Sequence, residues 1–262
     1  MKKRLLILNW ILCILYSPVQ AQELKLLLDT FVEADLVQLD PLGNIYLINQ
    51  SDKTLQKFNP EFVHLFSISI QNNWENARLD VSDPFKIILY YPGDYKIQLL
   101  DAQLSLLQTI NAPDLNEKAA IGHYDSDRFI IYDGNNLAIQ NYKTGKTENS
   151  TFSGLFSSMD AKDVSLKKLK NYIYFIQKKL SIVVYTNQLF EAKKWTDSDM
   201  EMADVNEHFI FKLKNNTIFG FNQINYTETE LYTAKNIISA FAISNQKMLI
   251  LEGNRLKLWY LY

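Results

Sequence analysis

Apolar and polar residues alternate in short runs along almost the whole chain, and the runs recur. Six of them read "NIYLI", "KIILY", "RFIIY", "YIYFI", "HFIFK" and "KMLIL". Each is followed, after a polar stretch, by a second alternating run: "TLQKF", "KIQLL", "LAIQN", "LSIVV", "TIFGF" and "LKLWY". Period-two alternation in Ile, Val, Tyr, Phe and Thr, with no sustained helical period, predicts strands joined by hairpins. Taking Ile45, Ile87, Phe129, Ile173, Phe209 and Met248 as anchors, the pattern repeats every 42, 42, 44, 36 and 39 residues.

A period near 40 with about four strands per unit predicts the blades of a β-propeller. In the first unit the strands fall at about 35–39, 44–48, 54–59 and 62–68. The second repeats that order in "ARLDV", "KIILYY", "YKIQLLD" and "LSLLQTI". The sixth unit contains only "ISAFAIS", "KMLILEG" and "RLKLWYLY" before Tyr262, whereas "LKLLLDTF", residues 24–31, belongs to no unit. Pairing that strand with 255–261 closes a six-bladed ring and leaves no apolar edge in water. The expected fold is therefore all-β, a single propeller domain over residues 22–262 sealed by its N-terminal strand.

The most polar part of the first repeat is "DPLGNIYLINQSDKTLQKFN", residues 40–59. Pro41 suits a turn position with fixed φ, and Gly43 suits one with positive φ. These residues therefore read as two tight turns in preference to a binding site, and Asp83-Pro84 repeats the device in the second unit. The stretch "LDPLGNIYLINQSDKTLQKFNPE" resembles an NHL-type repeat: an Asp-turn-Gly-Asn, an Ile-Tyr strand, an Asn/Asp-rich hairpin and a Lys-Phe strand. The resemblance is specific over residues 35–70 and architectural beyond them. It implies a binding propeller, although Thr54 stands where the family usually has a basic residue.

Residues 1–21 predict an export signal. Lys2, Lys3 and Arg4 precede an apolar run from Leu5 to Tyr16, then Pro18 and the small-residue end Val19-Gln20-Ala21. The run is too short for the ~20 residues that span a bilayer. The one cysteine, Cys13, lies in this segment, so the mature chain is expected to lack thiols, disulfides and any transmembrane segment. Cleavage takes the formal charge from −2 to −5, which argues against a general nucleic-acid binder. The Asn-, Lys-, Ile- and Tyr-rich composition points to a bacterial envelope protein. A chain ending within a blade strand favours the periplasm over full secretion.

Catalytic chemistry is sparse. His64, His123 and His208 fall in different units and in no nucleophile motif, and there is no paired-histidine metal spacing or phosphate-binding glycine loop. Six-bladed lactonases, which this architecture resembles, hold an axial calcium with converging oxygens. Asp35, Asp80, Asp163 and Asp204 begin inner strands here but share no pattern, so they are expected not to converge.

Charge is less even. Lysines 162, 167, 168, 170, 178, 179, 193 and 194 outweigh Asp163 and Glu191 over residues 161–195, for a balance of +6. "WTDSDMEMADVNE" follows immediately, with five acids and no base. Adjacent blades of opposite potential suit a protein partner. Aromatics expected on loops of one face, Trp74, Tyr91, Tyr95 and Trp195, would supply the buried area. The candidate binding residues are Trp74, Tyr91, Asp94, Tyr95, Lys178, Lys179, Trp195, Asp197 and Asp199. The expected function is a non-enzymatic binding or scaffold protein of the envelope, without a cofactor. The alternatives are a lactonase-like hydrolase with an axial divalent ion and a carbohydrate-binding module.

Overall fold

A computed structural model describes residues 24–70, 77–113, 115, 119–152 and 163–262. These residues form 24 strands in six four-stranded antiparallel sheets, the blades of a six-bladed β-propeller. Blade 1 holds β2 (Leu36–Leu39), β3 (Ile45–Asn49), β4 (Thr54–Phe58) and β5 (His64–Ser69). Blade 2 holds β6 (Arg78–Asp80), β7 (Ile87–Tyr91), β8 (Lys96–Leu100) and β9 (Leu106–Asn111). Blade 3 holds β10 (Ala120–His123), β11 (Arg128–Tyr132), β12 (Asn136–Asn141) and β13 (Thr147–Phe152). Blade 4 holds β14 (Val164–Leu169), β15 (Tyr172–Gln177), β16 (Ser181–Thr186) and β17 (Glu191–Thr196). Blade 5 holds β18 (Met202–Val205), β19 (Phe209–Lys214), β20 (Thr217–Asn222) and β21 (Glu228–Thr233). Blade 6 holds β22 (Ile238–Ser244), β23 (Lys247–Glu252), β24 (Arg255–Leu261) and β1 (Leu24–Phe31).

The expected closure is present. β1 pairs antiparallel with β24 from Leu24–Leu261 to Phe31–Arg255, with a register shift between Leu26 and Leu28. Val32 N–H extends the seam to the Asn254 carbonyl at 3.0 Å, and Arg255 Nε lies 2.8 Å from Asp29 Oδ1. The residues expected to precede this strand as an export signal lie outside the described residues. Among the described residues, no helix is long and apolar enough to cross a membrane.

Alternation gives each blade two apolar faces, and each face packs on the next blade. The core is consequently divided into six seams. Between blades 6 and 1 it is aliphatic: Val37, Leu39, Ile45 and Leu47 meet Leu249, Leu251, Leu256 and Leu258. Between blades 4 and 5 it holds Tyr174, Ile176, Ile182, Val184, Met200, Val205 and Ile210, with partly buried Trp195 and Phe221. Each fully buried side chain of this size contributes ~1.5–3 kcal/mol.

The polar stretch of blade 1 is turn chemistry. Asp40 is fully buried; its Oδ1 accepts from Leu42 N–H (2.9 Å) and Asn44 N–H (2.8 Å). Its Oδ2 accepts from Asn44 Nδ2 (2.7 Å) and the Tyr46 hydroxyl (3.1 Å). Gly43 supplies the positive φ of +86° that the turn needs. In the next hairpin, Asn49 Oδ1 accepts from Ser51 Oγ and Asp52 N–H. With these oxygens committed to the backbone, the stretch holds the hairpins in place.

Candidate functional site

The blade-joining loops and the hairpins between second and third strands share one face, as expected, and bond to each other there. Lys178 N–H donates to the Asp163 carbonyl (2.9 Å), Lys179 N–H to Met200 (2.7 Å) and Asp197 N–H to Leu180 (2.9 Å). Lys178, Lys179, Asp197 and Asp199 thus cluster at the end of blade 4. Asp94 and Tyr95 occupy the corresponding hairpin of blade 2, where Ala112 N–H bonds the Tyr95 carbonyl at 2.8 Å. Tyr95 is partly exposed, with φ of +51° after the 3-10 turn Pro92–Asp94. Trp74 and Lys162 lie outside the described residues.

Two of the expected loop aromatics are placed differently. Tyr91 is the last residue of β7 and is fully buried, its hydroxyl donating to Gln98 Oε1 at 3.2 Å. Burial, followed by the Asp94 carboxylate, pushes that hydroxyl far above the ordinary tyrosine value. The alternation of "KIILYY" carries Tyr91 into the seam with blade 1, so it belongs to the core. Trp195 is a strand residue of β17, opposite Ile182 in the ladder.

There Trp195 lines a cleft of about 90 Å³ between blades 4 and 5, together with Ile182, Thr196, Asp197, Ile210, Lys212 and Phe221. Trp195 meets Phe221 edge to face, ring centroids 6.0 Å apart. The Lys193 ammonium lies 5.9 Å from both the Trp195 and Tyr226 rings. Exposed Tyr226, from the blade 5 turn after β20, lies against the Phe221 ring, centroids 6.3 Å apart. One end of the cleft is ionic. Asp197 Oδ2 lies 2.7 Å from Lys214 Nζ and 3.1 Å from Lys212 Nζ, and Glu228 pairs with both lysines. Burial would raise the Asp197 carboxyl, but these two ammoniums hold it below the ordinary carboxylate range. Burial would likewise lower Lys214, and the two carboxylates hold it above its ordinary value.

The two charged runs meet across the same seam and do not simply face solvent. Lys167 Nζ lies 2.7 Å from Asp204 Oδ1, and Lys170 Nζ 2.6 Å from Glu207 Oε2. Part of the expected contrast in potential is therefore neutralised inside the molecule. The other lysines spread out: Lys168 covers the Tyr124 ring at 4.3 Å, while Lys193 and Lys194 sit on the outer strand.

Along the axis, the inner-strand acids are tied to backbone. Asp80 Oδ2 accepts from His123 N–H of blade 3 at 2.6 Å, and its Oδ1 from Ser82 N–H at 2.8 Å. Asp204 Oδ2 accepts from Ile243 N–H of blade 6 at 2.6 Å, and Asp35 Oδ2 from Gln50 N–H at 2.6 Å. Asp163 stands near Arg78. Among the described residues, no three His, Cys, Asp or Glu side chains are grouped to hold an ion.

Phe221, Ile210 and Lys212 were not legible as site residues. Their alternation is that of any core strand, and the one available signal is a lysine two residues after buried Ile210, on the same strand face.

No family model and no curated protein matches the chain. Solved structures do. The chain is similar to BamB from Moraxella catarrhalis, at 10% identity and a TM-score of 0.56, covering 90% of this chain and 97% of that one. It is also similar to a streptogramin B lyase, at 11% identity and a TM-score of 0.60, covering 92% of this chain and 98% of that one. At such identities the likeness establishes the six-bladed propeller architecture and no activity.

Proposed function

We propose that this protein is a non-enzymatic binding or scaffold propeller, exported to the bacterial envelope, that engages a protein partner where its loop face meets the blade 4/5 seam. The cleft carries the reading. Trp195 and Phe221 offer a part-exposed aromatic lining beside exposed Ile224 and Tyr226, in a frame held by the Asp197–Lys212–Lys214–Glu228 pairs. Aromatic anchors in a preformed depression are what protein interfaces use. Lys178, Lys179 and Asp199, next to it on the loop face, would steer the encounter, while Asp94 and Tyr95 lie farther round that face.

Two observations weigh against a hydrolase with an axial ion. Asp80 and Asp204 spend oxygens on backbone amides of neighbouring blades, and Lys167 neutralises Asp204. A cleft of about 90 Å³ lined mainly by apolar side chains favours a protein side chain over a polar sugar ring. Export rests on the basic start, short apolar run and small-residue end of residues 1–21. The Asp40 turn is the feature of blade 1 that supports an NHL-like reading.

The test is capture of the partner by the full mature chain from envelope extract, followed by binding kinetics at two salt concentrations. Trp195→Ala is expected to raise the off-rate by ~1–3 kcal/mol equivalent. Lys178→Glu with Lys179→Glu is expected to slow association and flatten its salt dependence. Parental kinetics in both variants would refute the reading.

A further inference from the structure

Resting on the protein-binding reading, the geometry points to the mode of recognition: an extended partner segment adds as a fifth, antiparallel strand to β17 and sets one aliphatic side chain into the blade 4/5 cleft. β17 is the outer strand of its sheet, bonded to β16 on one side only, so its other edge presents backbone N–H and C=O groups. Strand addition takes its affinity from such an edge and its specificity from side-chain pockets at alternate positions. Here the pocket is in place. Trp195, near the end of β17, lines the cleft, and a residue added opposite Trp195 projects on the same face of the sheet.

Size and charge define the segment. About 90 Å³ holds one side chain, and a flexible leucine, isoleucine or methionine suits the irregular space beside the edge-to-face Trp195 and Phe221 rings. Lys193 is two residues before Trp195 and therefore on the same strand face. Its ammonium lies beside the Trp195 and Tyr226 rings, with no carboxylate paired to it among the described residues. In an antiparallel partner, the residue two positions after the anchor faces Lys193, so an acidic residue fits there. Exposed Tyr226, beside the same ammonium, gives the added strand an apolar neighbour. The occupant is thus an alternating segment with an aliphatic anchor followed, two residues on, by Glu or Asp.

The experiment uses the full mature protein and an end-capped, fluorescently labelled eight-residue peptide. The peptide alternates threonine and valine, with leucine at position four and glutamate at position six. Anisotropy is expected to show saturable binding. Replacing the leucine with alanine should weaken it about tenfold, replacing it with phenylalanine at least threefold, and N-methylating the amides that face β17 at least tenfold. Lys193→Glu should weaken it three- to fivefold, with recovery when the peptide glutamate becomes lysine. Absence of binding at millimolar protein, equal binding of the N-methylated peptide, or preference for phenylalanine would each overturn the strand-addition mode. These peptide changes leave the protein untouched, so misfolding cannot imitate them. A captured protein partner that still depends on Trp195 while the peptide fails would remove this mode and leave the protein-binding reading standing.

Discussion

The closing blade and the seam between blades 4 and 5 solve the same packing problem with opposite results. In blade 6, both ends of the chain meet in one sheet. Leu24 and Leu28 of β1 pack into the flanking seams, which are mainly aliphatic toward blade 1 and carry Phe211, Phe241 and Trp259 toward blade 5. Its acid is sealed as well. Glu252, 1% exposed, accepts from the Tyr232 hydroxyl and Lys257 Nζ at 2.5 Å each, and from the Lys235 and Asn236 amides at 3.0 Å each. At the blade 4/5 seam a mostly aliphatic core gives way to a cleft lined by part-exposed Trp195 and Phe221, and the acid Asp197 shares two lysines with Glu228 beside it. The saturated Glu252 carboxylate leaves nothing there for a ligand to gain. An open cleft with part-exposed aromatics and ions does. The difference separates the region that holds the ring shut from the region to which we assign recognition.

The largest effect should come from breaking the closed side. Deleting residues 22–32 removes the β1 ladder and exposes the edge of β24. The loss is expected to exceed the 5–15 kcal/mol that holds a typical domain together. Size-exclusion chromatography and thermal melts should show aggregation or no cooperative transition. A truncated protein that melts like the intact one would contradict the role of the seam.

Acid should act on the same side next. Burial would raise the Glu252 carboxyl, but Lys257, Tyr232 and the Asn236 amide hold it at about 2, against 4.5 for an ordinary glutamate. A depressed carboxylate stabilises the fold above its unfolded value, and that stability fades as pH falls from about 4.5 to about 2. The shift corresponds to ~3 kcal/mol at neutral pH. Denaturant melts of Glu252→Gln should show a loss of that order at pH 7 and a smaller one near pH 3. An equal loss at both would detach the acid sensitivity from this residue.

The open side should be less sensitive. Asp197→Ala leaves Lys212 and Lys214 with Glu228 alone, and is expected to cost ~1 kcal/mol in a denaturant melt. Its carboxyl is also held below the ordinary range, so its contribution is present at neutral pH and lost as pH falls through that lowered value. Lys178→Glu with Lys179→Glu should change stability least, within ~0.5 kcal/mol, while altering association kinetics. A stability loss above 2 kcal/mol in either variant would mean that the open side is structural too.

Architecture was legible because blades repeat. Strand alternation, a period near 40, and one strand missing from the end with one left over at the start lead to the observed ring and its seam. The turn reading of Asp40 was legible for the same reason: Pro and Gly at fixed spacing have few conformational uses. The site was legible only in part. Trp195 and Asp197 stand out by type, but their cleft depends on Ile210, Lys212 and Phe221 from the next blade. Which blade faces meet, and where packing leaves a gap, follows from tertiary placement and not from any local pattern. Tyr91 shows the opposite error: next to Pro92-Gly93-Asp94 it reads as a loop aromatic, yet strand register carries it into the core. The lysine and acidic runs read as separate surfaces because sequence hides that Lys167 and Lys170 reach Asp204 and Glu207 across the seam.

Amide hydrogen exchange of the full mature protein, with and without saturating strand peptide, tests the central contrast most directly. Ligand should slow exchange in 191–197 and in 221–226, since the free edge of β17 and the wall of the cleft become covered. Exchange in 24–31 and 255–261 should not change, because the anchor cleft lies at the blade 4/5 seam and not beside that edge. Protection confined to another blade, or spread equally over both seams, would contradict the assignment of recognition to the open side.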